Sequence, residues 1–235
     1  MLAAFSQARV PRSAWAHLEV CEGQGCPNQT CSAACWFGER AALLRLVRPA
    51  NNLLTDTGLS LRFVTVVDPR HRRSQGDLAS VPIDGIQQWL RRRFKMIEAD
   101  YGKVRAVGGI EASFEVEQDG TSHWGPHSHF VVASECPTEA LRAGLMPVGP
   151  RVENTRPVVI KPVHELANAI AYCGKREPAM RVAFCERRGT QNRQKRSASP
   201  EVALEYNRWL LGQGPTDRLI LRGYKRVHGR LTLLR

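Results

Sequence analysis

The sequence predicts an α+β domain in which an antiparallel sheet carries helices on one face. Two observations carry that expectation. Short β-rich runs recur at residues 61–67, 105–117 and 127–134, and runs with helical spacing at 83–100 and 136–146 separate or follow them. A chain of 235 residues is long enough to bury its own core. A formal charge of +12, from 34 Lys and Arg against 22 Asp and Glu, points to a polyanionic partner. No apolar run of about 18 residues exists to span a bilayer, and MLAAFSQARVPRSAW lacks the apolar core of a secretory signal. The expectation is a cytoplasmic protein of a prokaryotic cell whose acidic partner is nucleic acid and not a membrane.

Taken in order, the chain divides into three parts. Residues 1–57 form a cysteine-rich N-terminal segment with a basic helix, WFGERAALLRLVRP, that ends before Pro49. Cys21, Cys26, Cys31 and Cys35 lie among Gly, Pro and Asn, where thiolates can wrap a structural zinc ion, although no CxxC pair is present. Seven cysteines without an export signal suit reduced thiols or metal ligands better than a disulfide framework.

Residues 58–180 form the core. LRFVTVV at 61–67 is a strand, and HRRSQGDLASVP at 71–82 reads as a mobile surface loop. Ile86, Trp89, Leu90, Phe94 and Ile97 recur on one stripe of a helix that stops at Gly102. RAVGGIEASFEVE is the second strand, QDGTSHWGP its turn, and residues 127–134 the third strand. CPTEALRAGLM is a short helix with Thr138 as its cap, RPVVIKP a fourth strand, and residues 163–177 a further helix. Residues 181–235 form a basic C-terminal extension. In it RRGTQNRQKR is a loop, SPEVALEYNRWLLG a helix capped by Ser199 and closed by Gly212, and the last stretch a hairpin or short strands.

The order strand, helix, strand, strand, helix, strand is the βαββαβ pattern of a ferredoxin-like (RRM-like) sheet with helices packed on one face, followed here by a tyrosine-bearing helix. The first and third strands are central in that arrangement.

The chemistry centres on WGPHSHFVV. Alternation on a strand puts His127 and His129 on one face and Ser128, Phe130 and Val132 on the other. Matching the apolar sides of the two hairpin strands puts the glutamates of the preceding strand on the histidine face. A turn centred near residue 121 or 122 sets Glu115 or Glu117 opposite the histidines, at the roughly 5 Å of a cross-strand pair. Glu111 is then about 13 Å away. Two imidazoles and a carboxylate suit manganese or magnesium. Tyr172 lies on the polar side of the following helix with Asn168 and Lys175 as neighbours, able to attack a phosphodiester that such a metal polarises.

In this combination the chain resembles the HUH endonuclease superfamily, specifically its single-tyrosine rolling-circle replication initiators. FVTVVDPR looks like their first motif, WGPHSHFVV like the paired-histidine motif and VVIKPVHELANAIAYCGK like the tyrosine motif, in the family's order. The resemblance implies a nick in single-stranded DNA at a replication origin, with Tyr172 joined to the 5′ phosphate and later released as the strand is rejoined. It implies His127 and His129 as metal ligands with an upstream carboxylate, Lys175 near the scissile phosphate, and a host helicase and polymerase as partners. Arg70, Arg72, Arg73 and Arg176 flank these motifs as candidate DNA contacts. Ser128 stands where the family usually has a hydrophobe. A relaxase or single-strand transposase of the same superfamily, a non-catalytic nucleic-acid-binding module and a zinc-dependent regulator are the competing readings.

Overall fold

A computed structural model describes residues 49–149, 156–173, 179–185, 191–213, 217–227 and 230–234. Cys21, Cys26, Cys31, Cys35, the helix expected before Pro49, Lys175 and Arg176 lie outside these residues.

The apolar runs form the elements their periodicity predicts. LRFVTVV is strand β1 (Leu61–Val67), and the stripe-bearing helix is α1 (Ile83–Tyr101), ended by Gly102 at φ 78°. A long hairpin follows: β2 (Arg105–Val116) and β3 (Ser122–Ala133). Then come α2 (Thr138–Gly144), β4 (Val158–Pro162) and α3 (Leu166–Tyr172). Beyond them are β5 (Ala179–Cys185), β6 (Gln191–Arg196), α4 (Pro200–Leu211), β7 (Leu219–Arg222), β8 (Tyr224–Val227) and β9 (Arg230–Leu233). The fold is mixed α+β. Among the described residues no helix is long and apolar enough to cross a membrane.

The main sheet runs β4-β1-β3-β2-β5-β6, so β3, the histidine strand, lies between β1 and β2 as expected. All neighbours are antiparallel except β2 and β5. The outer edge of β2 is shared by two strands. β7 pairs with Ala106–Gly109 and β5 with Ser113–Val116, so the two diverge around Glu111.

Both faces of the sheet are covered in part. On one, Val64, Ile110, Phe114, Phe130 and Val132 meet Leu90 and Phe94 of α1 and Tyr206 and Trp209 of α4. Phe130 packs edge-on against Phe94 with ring centroids 5.4 Å apart. Burying aromatic pairs of this kind contributes about 0.5–1.5 kcal/mol beyond the area removed from water. On the other, Val107, Val131 and Ala133 meet Ile170 of α3, Leu54 from the helical residues 49–55, and Tyr224 and Leu231 of the β8–β9 pair. Ser128 is buried on the first, helix-covered side, in register with Val66 and Ile110.

Several expectations are corrected. The turn is much shorter than QDGTSHWGP: Glu117 and Thr121 close it, and Ser122, His123 and Trp124 already pair in β3. Trp124 explains this, because it is fully buried against Phe114 at 5.0 Å and Tyr206 at 5.9 Å. The 71–82 segment is anchored and not a free loop. Arg73 bridges to Trp124 through the backbone, Leu78 is fully buried, and Glu205 accepts from the backbone N–H of Gly76 and Leu78. Thr138 is the first helical residue of α2 and makes no capping bond. RRGTQNRQKR contributes a strand, β6, where a loop was expected. Ser199 does cap α4, accepting from the Val202 N–H. The C-terminal stretch adds β5, β6 and β7 to the main sheet, and α4 lies in its core.

Candidate metal centre

Register decides which carboxylate meets the histidines. The turn is centred near residue 119, so Glu111 pairs with His127, Gly109 with His129, and Glu115 with His123. This corrects the expected placement of Glu115 or Glu117 beside the histidine pair, because a turn displaced toward the N-terminus moves each partner along β2. Glu111 is the carboxylate at the pair.

Glu111, His127 and His129 are all buried, at 4%, 7% and 4% exposure. Their ligand atoms lie within 4.8 Å of one another: His127 Nε2 is 4.0 Å from Glu111 Oε2, and His129 Nε2 is 3.7 Å from Glu111 Oε1. Ligands about 2.1 Å from a central ion sit about 3–4 Å apart, so these residues can hold a metal ion. The second layer suits that role. His127 donates from Nδ1 to the Gly125 carbonyl at 2.8 Å, which leaves Nε2 with its lone pair toward Glu111. Thr65 of β1 shares a 2.8 Å hydrogen bond with His129 Nδ1 and holds that ring in orientation, with Nε2 toward Glu111.

Tyr172 ends α3 over this group. Its ring centroid is 5.1 Å from that of His129 and 5.8 Å from that of Phe63, and the residue is 44% exposed. Burial raises the phenol pKa and the Glu111 charge raises it further, while Arg181 of β5 acts in the opposite direction. Glycine permits the approach of α3. A Cβ at Gly109 would lie 2.5 Å from the Cys173 carbonyl oxygen, so only a residue without one lets the helix end this close to β2. Asn168, one turn earlier, is hydrogen-bonded to Glu165.

Glu115 and Glu117 form a second group with His123, on the same face. Arg193 of β6 pairs with both carboxylates, at 2.9 Å for Glu117. Burial opposes ionisation of Glu115, yet the His123 hydrogen bond and the Arg193 charge hold its pKa down to about 2. This group already contains its cation.

The arginines of the first loop are engaged within the fold. Arg70 pairs with the buried Asp68 at 2.6 Å, and Arg73 donates to Ser80 and to the carbonyls of Arg70 and Arg72. Sequence reasoning missed Glu111 as the carboxylate at the pair, along with Thr65, Gly109 and Arg181. Alternation along LRFVTVV puts Thr65 on the opposite face from Val64 and Val66, which was a usable signal. The other three depend on the hairpin register, on the approach of α3 and on the pairing of β5 with β2. No family model matches the chain, and neither a curated protein nor a solved structure does.

Proposed function

We propose that this protein is a metal-dependent, single-tyrosine endonuclease of the HUH type that nicks and rejoins single-stranded DNA to start rolling-circle replication. The observation that carries this reading is the meeting of β2, β3 and α3, which brings Tyr172, its ring 5.1 Å from that of His129, to the Glu111, His127 and His129 group. The run β1, α1, β2, β3, α2, β4 and the order β4-β1-β3-β2 support a ferredoxin-like core. Net charge supports a nucleic-acid substrate.

Glu111, His127 and His129 would hold manganese or magnesium, which when bound supplies positive charge against a phosphodiester oxygen. Thr65 and the Gly125 carbonyl keep the imidazoles turned toward Glu111. Phe63 and His129 hold the Tyr172 ring by edge contacts. The Tyr172 oxygen bonds to phosphorus as the bond to the 3′ oxygen breaks, leaving a 5′-phosphotyrosine and a free 3′ hydroxyl. Reversal rejoins the strand. The origin, a host helicase and polymerase, and the cytoplasm of a prokaryotic cell complete the proposal.

The test incubates purified protein with Mn2+ and labelled single-stranded DNA from its own replicon, then looks for a denaturation-resistant adduct. The expected adduct disappears in Tyr172→Phe and in His127→Ala. An adduct that persists in Tyr172→Phe refutes the assignment.

A further inference from the structure

The metal-bearing face of the sheet continues beyond β2 onto two strands outside the histidine and tyrosine motifs. Glu115 of β2 pairs with Arg181 of β5, and Arg181 with Lys195 of β6. Alternation fixes their side: Met180 packs into the core beneath α1 and α4, so Arg181 and Lys195 lie on the opposite face, with Glu115 and Glu111. Arg181 is half-buried and Lys195 exposed. Directly paired residues on neighbouring strands have Cα atoms about 5 Å apart.

Two features make this row receptive to a phosphate chain. Arg181 is in register with Glu115 on the sheet face that carries Glu111, the face over which Tyr172 lies, and its charge bears on Tyr172. Arg193, on the same face of β6, pairs with Glu115 and Glu117 and so offsets half of the carboxylate charge that would repel phosphate. Among the described residues neither Arg181 nor Lys195 is in an ion pair, which leaves both charges available to a ligand.

We propose that Arg181 and Lys195 form a cationic track for the phosphates of the single strand that flank the reacting phosphate at Tyr172. The track rests on the nicking reading for its orientation. It assigns the sugar–phosphate backbone, and not the bases, to β5 and β6.

Binding is measured with the full chain carrying Tyr172→Phe, without metal, on a labelled single-stranded oligonucleotide across a salt series. Each phosphate contact on a single strand contributes about 0.7 to the slope of log affinity against log salt. Arg181→Gln with Lys195→Gln should therefore flatten the slope by about 1.4, so that a fourfold rise in salt costs about 7-fold less affinity than in the parent. Arg91→Gln with Arg92→Gln removes equal charge from exposed positions of α1, on the other side of the sheet, and should not change the slope. Arg181→Lys should retain it. Equal slopes in the two paired variants, or loss of slope in Arg181→Lys, overturn the track. Normal adduct formation by the wild type with no slope difference refutes the track alone. A slope difference without any adduct refutes the nicking reading and leaves the track as a binding surface.

Discussion

Replacing Gly109 with alanine tests whether the approach of α3 to β2, beside the histidine strand, matters for chemistry. The added Cβ would stand 2.5 Å from the Cys173 carbonyl oxygen, whereas ordinary contact begins near 3.4 Å. The end of α3 must therefore lift by the difference, about 0.9 Å, since Gly109 sits inside the paired strand β2 and cannot retreat. Tyr172, one residue earlier, moves with it and away from His129. A misplacement of about 1 Å in a reacting group can cost about 10²-fold in rate. Overpacking should also cost about 1–3 kcal/mol of stability.

The assay is single-turnover adduct formation with Mn2+, read beside thermal unfolding and Mn2+ affinity. The expected result is a folded protein whose metal affinity changes far less than its rate, because the three ligands come from β2 and β3. A folded Gly109→Ala protein with the wild-type adduct rate would refute the argument that glycine sets the position of Tyr172.

Other outcomes follow from the same geometry. Glu111→Gln should weaken Mn2+ binding, measured by titration calorimetry, beyond the about 10–100-fold typical of losing a second-layer partner. Glu117→Gln should change it little, because the second group is closed by Arg193; the reverse ranking would restore the Glu117 assignment. Thr65→Val should lower Mn2+ affinity by about 10–100-fold and Thr65→Ser should restore it, since only the hydroxyl orients His129. Glu115 is held at about 2 against an ordinary 4.5, so the unfolded chain binds its proton first as pH falls. Its contribution, on the order of 3 kcal/mol, is fully present above pH 4.5 and is lost as pH drops toward 2. Urea midpoints between pH 6 and 3 should therefore fall less steeply in Glu115→Gln than in the wild type.

Much of the architecture was legible because it is local. β1, α1 and α4 follow from alternation, a five-residue apolar stripe, and a Ser199–Pro200 start with a Gly212 end. The histidine pair was legible for the same reason. What failed was the position of the turn. Gly125 and Pro126 inside β3 imitate turn chemistry, and the residue that overrides them, Trp124, is buried by Tyr206, 82 positions away in the chain. That non-local contact fixed the register, and the register decided which glutamate faced the histidines. β6 was illegible on similar grounds: QNRQKR has no apolar alternation, and only pairing with β5 makes it a strand.

The two His and Glu groups on this face resolve differently although their residue types are nearly the same. Around Glu115, an arginine from a strand read as loop enters and pairs with both carboxylates, so the cluster is a structural tie between β2 and β6. Around Glu111, the outer edge of β2 changes partner from β7 to β5, and the space above is taken by the end of α3. A buried carboxylate facing two imidazoles is costly unless a positive charge or a proton accompanies it. The sheet thus concentrates one such carboxylate at the place where its edge divides, beneath the tyrosine that ends α3. In the reading proposed above, that division of the edge is what opens the metal-bearing face to a strand of DNA.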